Sequence, residues 1–170
     1  ILENQVNKAY LSLGSNLGDR KKNLERACIE LEKYLIIEEV SRVYQTEPLH
    51  FIEQRPFYNC GVQASCTLEP LELLEKAKEI ETRMGRVESI RYGPRIIDID
   101  IIFWIKQGEF ISIKSDNLIV PHPMWYKREF VIKTMMELNT EKWINTYIEE
   151  NNIDISKLNQ EIIYVSDLNI

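Results

Sequence analysis

The densest chemistry in this chain lies in Arg91-Tyr92-Gly93-Pro94-Arg95-Ile96-Ile97-Asp98-Ile99-Asp100-Ile101-Ile102. Two carboxylates alternate with isoleucine in a β-branched run, the composition of a strand. Residues i and i+2 of a strand point to one face. Asp98 and Asp100 therefore share a side, and Ile97, Ile99 and Ile101 form the buried one. Like charges side by side on a strand are destabilising unless a cation lies between them. Mg2+ suits that place, because it takes one or two carboxylates and fills its shell with water and phosphate oxygens. The pair reads as a site for metal-bound polyphosphate. Two ordinary aspartates on a solvated strand face are the plain alternative, and the arginines beside the pair weigh against it.

Arg83, Arg86, Arg91 and Arg95 crowd the approach to the aspartates, and Glu88 is the only acid among them. A guanidinium donates in a planar fork that matches phosphate oxygens. His122 stands between Pro121 and Pro123, whose rigidity fixes its direction, and is a candidate phosphate donor. Lys127 and Arg128 are predicted to open the third helix, where a cation opposes the helix dipole unless an anion lies close. Phe57 and Phe130 are candidates to enclose a flat heterocycle. The Asn59 amide, both donor and acceptor, would read its edge. For each phenylalanine, ordinary core packing is the competing reading. Gly14-Ser15-Asn16 is too short for a phosphate loop and no G-x-x-x-x-G-K-[ST] occurs, so any ATP is bound by another architecture.

The elements that must position these residues follow from periodicity. Residues 8–14 alternate Ala9, Leu11 and Leu13 against Tyr10 and Ser12, a short strand ending in a turn at 14–19. A helix to about Leu35 carries Leu24, Ala27, Cys28, Leu31 and Leu35 at helical spacing. Residues 36–46 read as a second strand and 57–66 as a third, with a polar loop at 47–56 between them. On the third, Tyr58, Cys60, Val62, Ala64 and Cys66 form one face, and Phe57, Asn59, Gly61 and Gln63 the other. Pro70 opens a second helix striped by Leu73, Leu74, Ala77, Ile80 and Met84. An arginine-rich loop at 85–94 leads into a fourth strand at 96–105, with a small hairpin at Gln107-Gly108. A third helix is expected over about 126–138, and the tail carries a weak helical pattern near 143–148.

The order β-α-β-β-α-β is the ferredoxin-like arrangement, an α+β fold with helices on one face of an antiparallel sheet. The parity of two separate strands then puts Asp98 and Asp100 on the same open face as Phe57 and Asn59. We expect one domain over 1–170, with a core at about 8–139 and a C-terminal helical extension at 140–170.

Composition excludes some classes. A formal charge of −6 over 170 residues argues against a general nucleic-acid binder, though not against a small anionic ligand in a local arginine pocket. Cys28, Cys60 and Cys66 have no zinc or redox spacing and are expected to be buried and reduced. No apolar run approaches membrane-spanning length and no signal peptide is recognisable, so the expected location is the cytoplasm. The chain opens on Ile1 and is expected to be trimmed or cut from a longer polypeptide.

The run from Arg91 to Ile102 resembles the signature of the 6-hydroxymethyl-7,8-dihydropterin pyrophosphokinase family of folate biosynthesis. That signature is a basic residue, a spacer, Gly-Pro-Arg, two residues, Asp-hydrophobe-Asp and two aliphatics. The resemblance extends to Tyr10-Leu11-Ser12-Leu13-Gly14-Ser15-Asn16-Leu17-Gly18, Tyr44-Gln45-Thr46-Glu47-Pro48-Leu49, Phe57-Tyr58-Asn59, Gly85-Arg86 and Val120-Pro121-His122-Pro123. It implies transfer of pyrophosphate from ATP to the pterin hydroxymethyl, giving AMP. By position it implies that Asp98 and Asp100 hold two Mg2+ ions and act in catalysis with Arg86 and Arg95. Phe57 and Phe130 would stack the pterin, and Asn59, Thr46 and the Leu49 backbone would read its edge. Arg86, Arg91, Tyr92, Arg95, His122 and Arg128 would line the ATP site, with Ile101 at the adenine and Glu81 at the nucleotide. The second loop is shorter than in the best-known members, and Tyr92 stands where they often have tryptophan. Its small-molecule partners would be ATP and hydroxymethyl-dihydropterin, with neither nucleic acid nor membrane. Some relatives are fused to a neighbouring folate enzyme.

Two rival readings share some of these features. A polymerase-β-like nucleotidyltransferase also pairs Gly-Ser with D-x-D, but its Gly-Ser lies close ahead of the aspartates, and here Gly14-Ser15 is most of a domain away. A non-catalytic ferredoxin-like binding module would want exposed aromatics with basic charge, or a C-x-x-C, and neither occurs.

Overall fold

The computed structural model describes residues 6–46, 54–85, 94–138, 141–157 and 162–170. In chain order these form β1 (Asn7–Ser15), α1 (Arg20–Leu31), β2 (Ile36–Val40), β3 (Val43–Thr46), β4 (Phe57–Cys66) and α2 (Pro70–Arg83). There follow β5 (Asp98–Lys106), β6 (Glu109–Phe110), β7 (Ile113–Lys114), β8 (Ile119–Val120), α3 (Glu129–Met136), α4 (Glu141–Glu150) and β9 (Ile162–Ser166). The main sheet runs β6-β5-β1-β4-β3-β9, with β2 also paired to β4, and β7 and β8 form a separate ribbon. Every pairing is antiparallel. The α+β, ferredoxin-like expectation holds for the core, whereas the C-terminal extension is not helical throughout: after α4 it supplies β9, drawn into the main sheet by the open edge of β3.

Local sequence explains the ends of the elements. Asp19 caps α1, its carboxylate accepting the Lys22 amide at 3.2 Å. Pro70 occupies the first turn of α2, where its missing N–H costs no hydrogen bond, and the Glu72 carboxylate accepts the Glu69 amide at 3.0 Å. Gln107 and Gly108 turn the β5–β6 hairpin with φ of 53° and 74°.

The strand predicted over 36–46 is two strands. The Ser41 hydroxyl takes the Gly61 amide at 2.7 Å, in place of a ladder carbonyl, and the Ser41 amide donates to the Gly61 carbonyl at 2.9 Å. The chain bends there, so β2 pairs with the far half of β4 and β3 with its near half. The third helix also begins later than its sequence pattern suggests. Trp125–Lys127 is a 3-10 turn, and Arg128 is the extended residue that precedes α3. The fully buried Trp125 draws that turn into a core cluster with Tyr10 and Phe103.

Helices α1 and α2 cover one face of the sheet, packing Leu24, Ala27, Leu31, Leu73 and Ile80 on Leu11, Leu13, Val62, Ile99 and Ile101. The other face is shared. Gly61 of β4 admits α3 there: a Cβ at Gly61 would lie 2.9 Å from Leu138 Cδ1, 3.0 Å from Met135 Cε and 3.2 Å from Thr134 Cβ. Thus α3 and α4 roof one half of the second face, packing Phe130, Met135 and Ile144 with Tyr10 and Phe103, and the predicted site lies on the other half. Cys28, Cys60 and Cys66 are free and buried. Burial pushes the Cys28 thiol up to about 12 and Cys66 to about 11, which suits inert core residues. Among the described residues no helix is long and apolar enough to cross a membrane.

Candidate active site

Three strands bring the predicted residues into one row. Gly14 of β1 is paired with Asp98 of β5 on one side and with Asn59 of β4 on the other. Directly paired residues share a face, so the carboxylate and the amide stand either side of a glycine, roughly 10 Å apart at ordinary strand spacing. The glycine is required. A Cβ there would meet Asn59 Oδ1 at 2.9 Å and Phe57 Cδ1 at 3.5 Å. Gly14 adds no side chain of its own between the two ends, and the Asn59 amide and Phe57 ring lean over it.

At the amide end, the buried Asn59 donates from Nδ2 to Thr46 Oγ1 at 2.6 Å, which fixes the amide's orientation. Half-buried Phe57 lies beside Gly14. Phe130 is 9% exposed and packs in the second-face cluster, so it is a core residue at the margin of the groove.

At the carboxylate end, Asp98 and Asp100 are half-buried on the open face, and Ile97, Ile99 and Ile101 are buried on the other. Arg95 Nε lies 3.9 Å from Asp98 Oδ1, with side-chain exposures of 14% and 35%. That cation offsets part of the like-charge repulsion expected from the strand pattern. No group of three or more metal-ligating side chains occurs among the described residues. Two adjacent carboxylates fit a metal that fills the rest of its shell with phosphate and water, as Mg2+ does.

His122 is held against the same strand, its backbone amide donating to the Ile102 carbonyl at 3.0 Å. Its Nδ1 accepts the Met124 amide at 3.2 Å, which places the imidazole proton on Nε2. Burial and the Arg128 charge bring its pKa down to about 4, so the ring is a neutral donor at physiological pH. Arg128 Nε is buried with no hydrogen-bond partner among the described residues. A buried guanidinium N–H without an acceptor is costly, and an anion at this place would satisfy it.

Glu81 is buried on α2 and accepts the Ile99 amide at 3.0 Å, capping the open edge of β5. The Ile99 backbone therefore faces away from β1, and strand alternation turns the Ile101 backbone the same way. The Ile101 side chain is 2% exposed, so only its backbone could meet a ligand. Leu49, Arg86, Arg91 and Tyr92 lie outside the described residues.

One buried residue ties the site together without having been singled out from the sequence. Asn16, 2% exposed, donates from Nδ2 to Gln54 Oε1 at 3.1 Å and to the Arg55 carbonyl at 3.2 Å. Its Oδ1 accepts the Arg95 amide at 2.7 Å. The approach to β4 is secured further by Arg20, which donates to the Pro56 carbonyl at 2.9 Å and stacks on Tyr58 at 3.8 Å. In the sequence Asn16 stands in the Gly14-Ser15-Asn16 turn after the first strand, within the stretch Tyr10 to Gly18 that carries the resemblance.

The fold and this row define a class: an α+β protein on a ferredoxin-like sheet, with carboxylates and Arg95 at one end of a row across three strands and a fixed amide at the other. The chain belongs to the 7,8-dihydro-6-hydroxymethylpterin-pyrophosphokinase family, whose model matches residues 10–140. It is 38% identical over 134 residues to the 2-amino-4-hydroxy-6-hydroxymethyldihydropteridine pyrophosphokinase of Bacillus subtilis, covering 78% of each chain. It is 42% identical over 132 residues to the Folic acid synthesis protein FOL1 of Dictyostelium discoideum, covering 78% of this chain but 20% of that one. In fold it resembles the Plasmodium falciparum HPPK-DHPS triple mutant, with a TM-score of 0.60, 20% identity, and coverage of 94% of this chain and 46% of that one. The chain thus spans a fifth of the Dictyostelium protein and under half of the Plasmodium one.

Proposed function

We propose that this chain transfers the pyrophosphoryl group of ATP to the hydroxymethyl oxygen of 6-hydroxymethyl-7,8-dihydropterin, giving AMP and the pterin diphosphate in folate biosynthesis. The observation that carries the reading is the Asp98–Gly14–Asn59 row. It brings the amide read here as the heterocycle contact and the carboxylate read as the phosphate-side group to either side of one glycine.

The pterin lies at the amide end. Asn59, oriented by Thr46, reads its polar edge, Phe57 covers its face, and Phe130 closes the margin, with the Leu49 backbone as a further contact. The triphosphate lies at the other end. Arg95, Arg128 and the Nε2–H of His122 donate to its oxygens, joined by Arg86, Arg91 and Tyr92. Fixed donors of this kind stabilise charge that grows in the transition state. Adenine contacts come from the Ile101 backbone, and Glu81 supports them from behind by holding Ile99. Asp98 and Asp100 would hold Mg2+, two ions in the full complex, which would supply charge withdrawal at the phosphate oxygens. The chain acts as one catalytic domain with a C-terminal extension, in the cytoplasm, and is compatible with fusion to another folate enzyme.

The test is AMP release from ATP and Mg2+ on addition of hydroxymethyl-dihydropterin. AMP that appears only with the pterin, in step with pterin diphosphate, is the expected outcome. No AMP, or AMP formed equally without pterin, would overturn the reading.

A further inference from the structure

The family match ends at residue 140, yet the sheet is completed by a strand beyond it. β9 lies outermost and pairs with β3, setting Ile162 opposite Thr46, Ile163 opposite Gln45 and Tyr164 opposite Tyr44. Only four residues long, β3 carries at its end the threonine whose hydroxyl orients Asn59. Without β9 it would be a short edge strand, the kind that frays most readily. Side chains reinforce the ladder: the Tyr44 and Tyr164 rings meet edge to face at 6.2 Å, and Arg42 lies over Tyr164 at 5.9 Å. Beyond β9, Leu168 packs against the main core and the Asn169 amide donates to Glu25 Oε2 on α1 at 3.0 Å. The segment is therefore anchored by its ladder to β3 and, beyond Ser166, by the main core and α1.

We propose that residues 162–169 are a positioning strap for the heterocycle end of the site, holding Thr46 so that the Asn59 amide presents one orientation to the substrate. The strap touches no substrate itself and acts through β3. This rests on the reading of Asn59 and Thr46 as pterin contacts. The carboxylate end lies three strands further in, on β5, so the strap acts on one substrate and spares the other.

The experiment compares Ile163→Pro with Ile163→Thr in the whole chain. Ile163 is 48% exposed, so its side chain contributes little to packing. Proline removes a backbone donor and fixes φ, and threonine keeps a strand former. Pterin affinity, measured with a non-hydrolysable ATP analogue and Mg2+ present, should fall about tenfold in the proline variant, a 1.4 kcal/mol change. Affinity for the ATP analogue should stay as in the parent, and threonine should restore both. Should Ile163→Pro fail to fold, Glu25→Ala carries the same test, since it frees only the Asn169 amide, with a smaller loss in the same direction. Equal loss of both ligands, or unchanged pterin affinity in the variant that folds, overturns the strap. Asn59→Ala is run alongside. If it leaves pterin binding intact, the pterin-site reading has failed; if it weakens binding while the strap variants do not, the strap alone has failed.

Discussion

Asn16 and Arg95 exchange two hydrogen bonds across 79 residues of sequence: the Arg95 amide donates to Asn16 Oδ1 at 2.7 Å, and the Asn16 amide donates to the Arg95 carbonyl at 3.0 Å. The same side chain binds Gln54 and Arg55, so the approaches to Phe57 and to Asp98 are joined through a single buried amide. Both ends of the groove depend on it.

Asn16→Ala leaves buried donors and acceptors unpaired and should cost about 1–3 kcal/mol of stability. Asn16→Asp is more selective, because it keeps an acceptor for Arg95 and loses both donors toward 54–55. Urea denaturation with substrate affinities distinguishes them: alanine should weaken both ligands, and aspartate chiefly the pterin. Identical profiles would reject the shared-joint role.

Asp98→Asn and Asp100→Asn should each remove most turnover and leave the fold intact. Less like charge on one strand face means stability holds or rises. Initial rates over a Mg2+ titration, beside thermal melts, check both halves. Near-parental rates in either variant would remove that carboxylate from the metal site.

Gly14→Ala and Gly61→Ala occupy the same sheet face and should fail differently. At Gly14 the new methyl meets an Asn59 amide already pinned by Thr46, so pterin affinity should fall while the melting temperature changes little. At Gly61 it presses on Thr134, Met135 and Leu138, and overpacking should cost about 1–3 kcal/mol of stability. Calorimetric binding and melting on both proteins decide it. Swapped outcomes would mean the groove and the helix roof have been misassigned.

His122 gives the fold an acid-sensitive leg. The unfolded chain takes up its proton near the ordinary value of 6.5, and the folded chain waits until about 4. The folded state thus binds fewer protons in that window, so this contribution is complete above pH 6.5 and is lost as pH falls toward 4. Full loss amounts to about 3 kcal/mol. Comparing denaturation of the parent and His122→Gln at pH 7 and pH 4.5 isolates the effect: the parent should lose more stability than the variant. Equal losses would show the ring to be solvated.

Much of the site was legible because strand parity is a local property. The alternation of Asp98 and Asp100 with isoleucine, and of Phe57 and Asn59 with Tyr58 and Cys60, set their faces, since side chains repeat every two residues whatever lies around them. The apolar stripes of α1 and α2, the Pro70 start and the Gln107-Gly108 turn are local in the same sense. The first matched signature also carried the family. Tertiary structure alone decided what closes over those elements. That Gly14 separates the amide from the carboxylates depends on which strands lie either side of β1, and that Gly61 seats α3 depends on a helix far along the chain. The break at Ser41, the late start of α3 at Glu129 and the pairing of β9 with β3 each trade a local preference for a non-local contact: a hydroxyl for a ladder carbonyl, a core seat for Trp125, a covered edge. Such contacts have no period along the chain. Their energy appears only when distant segments meet, which is why Asn16, legible in the sequence only as part of a turn, proved to join the approaches to β4 and β5.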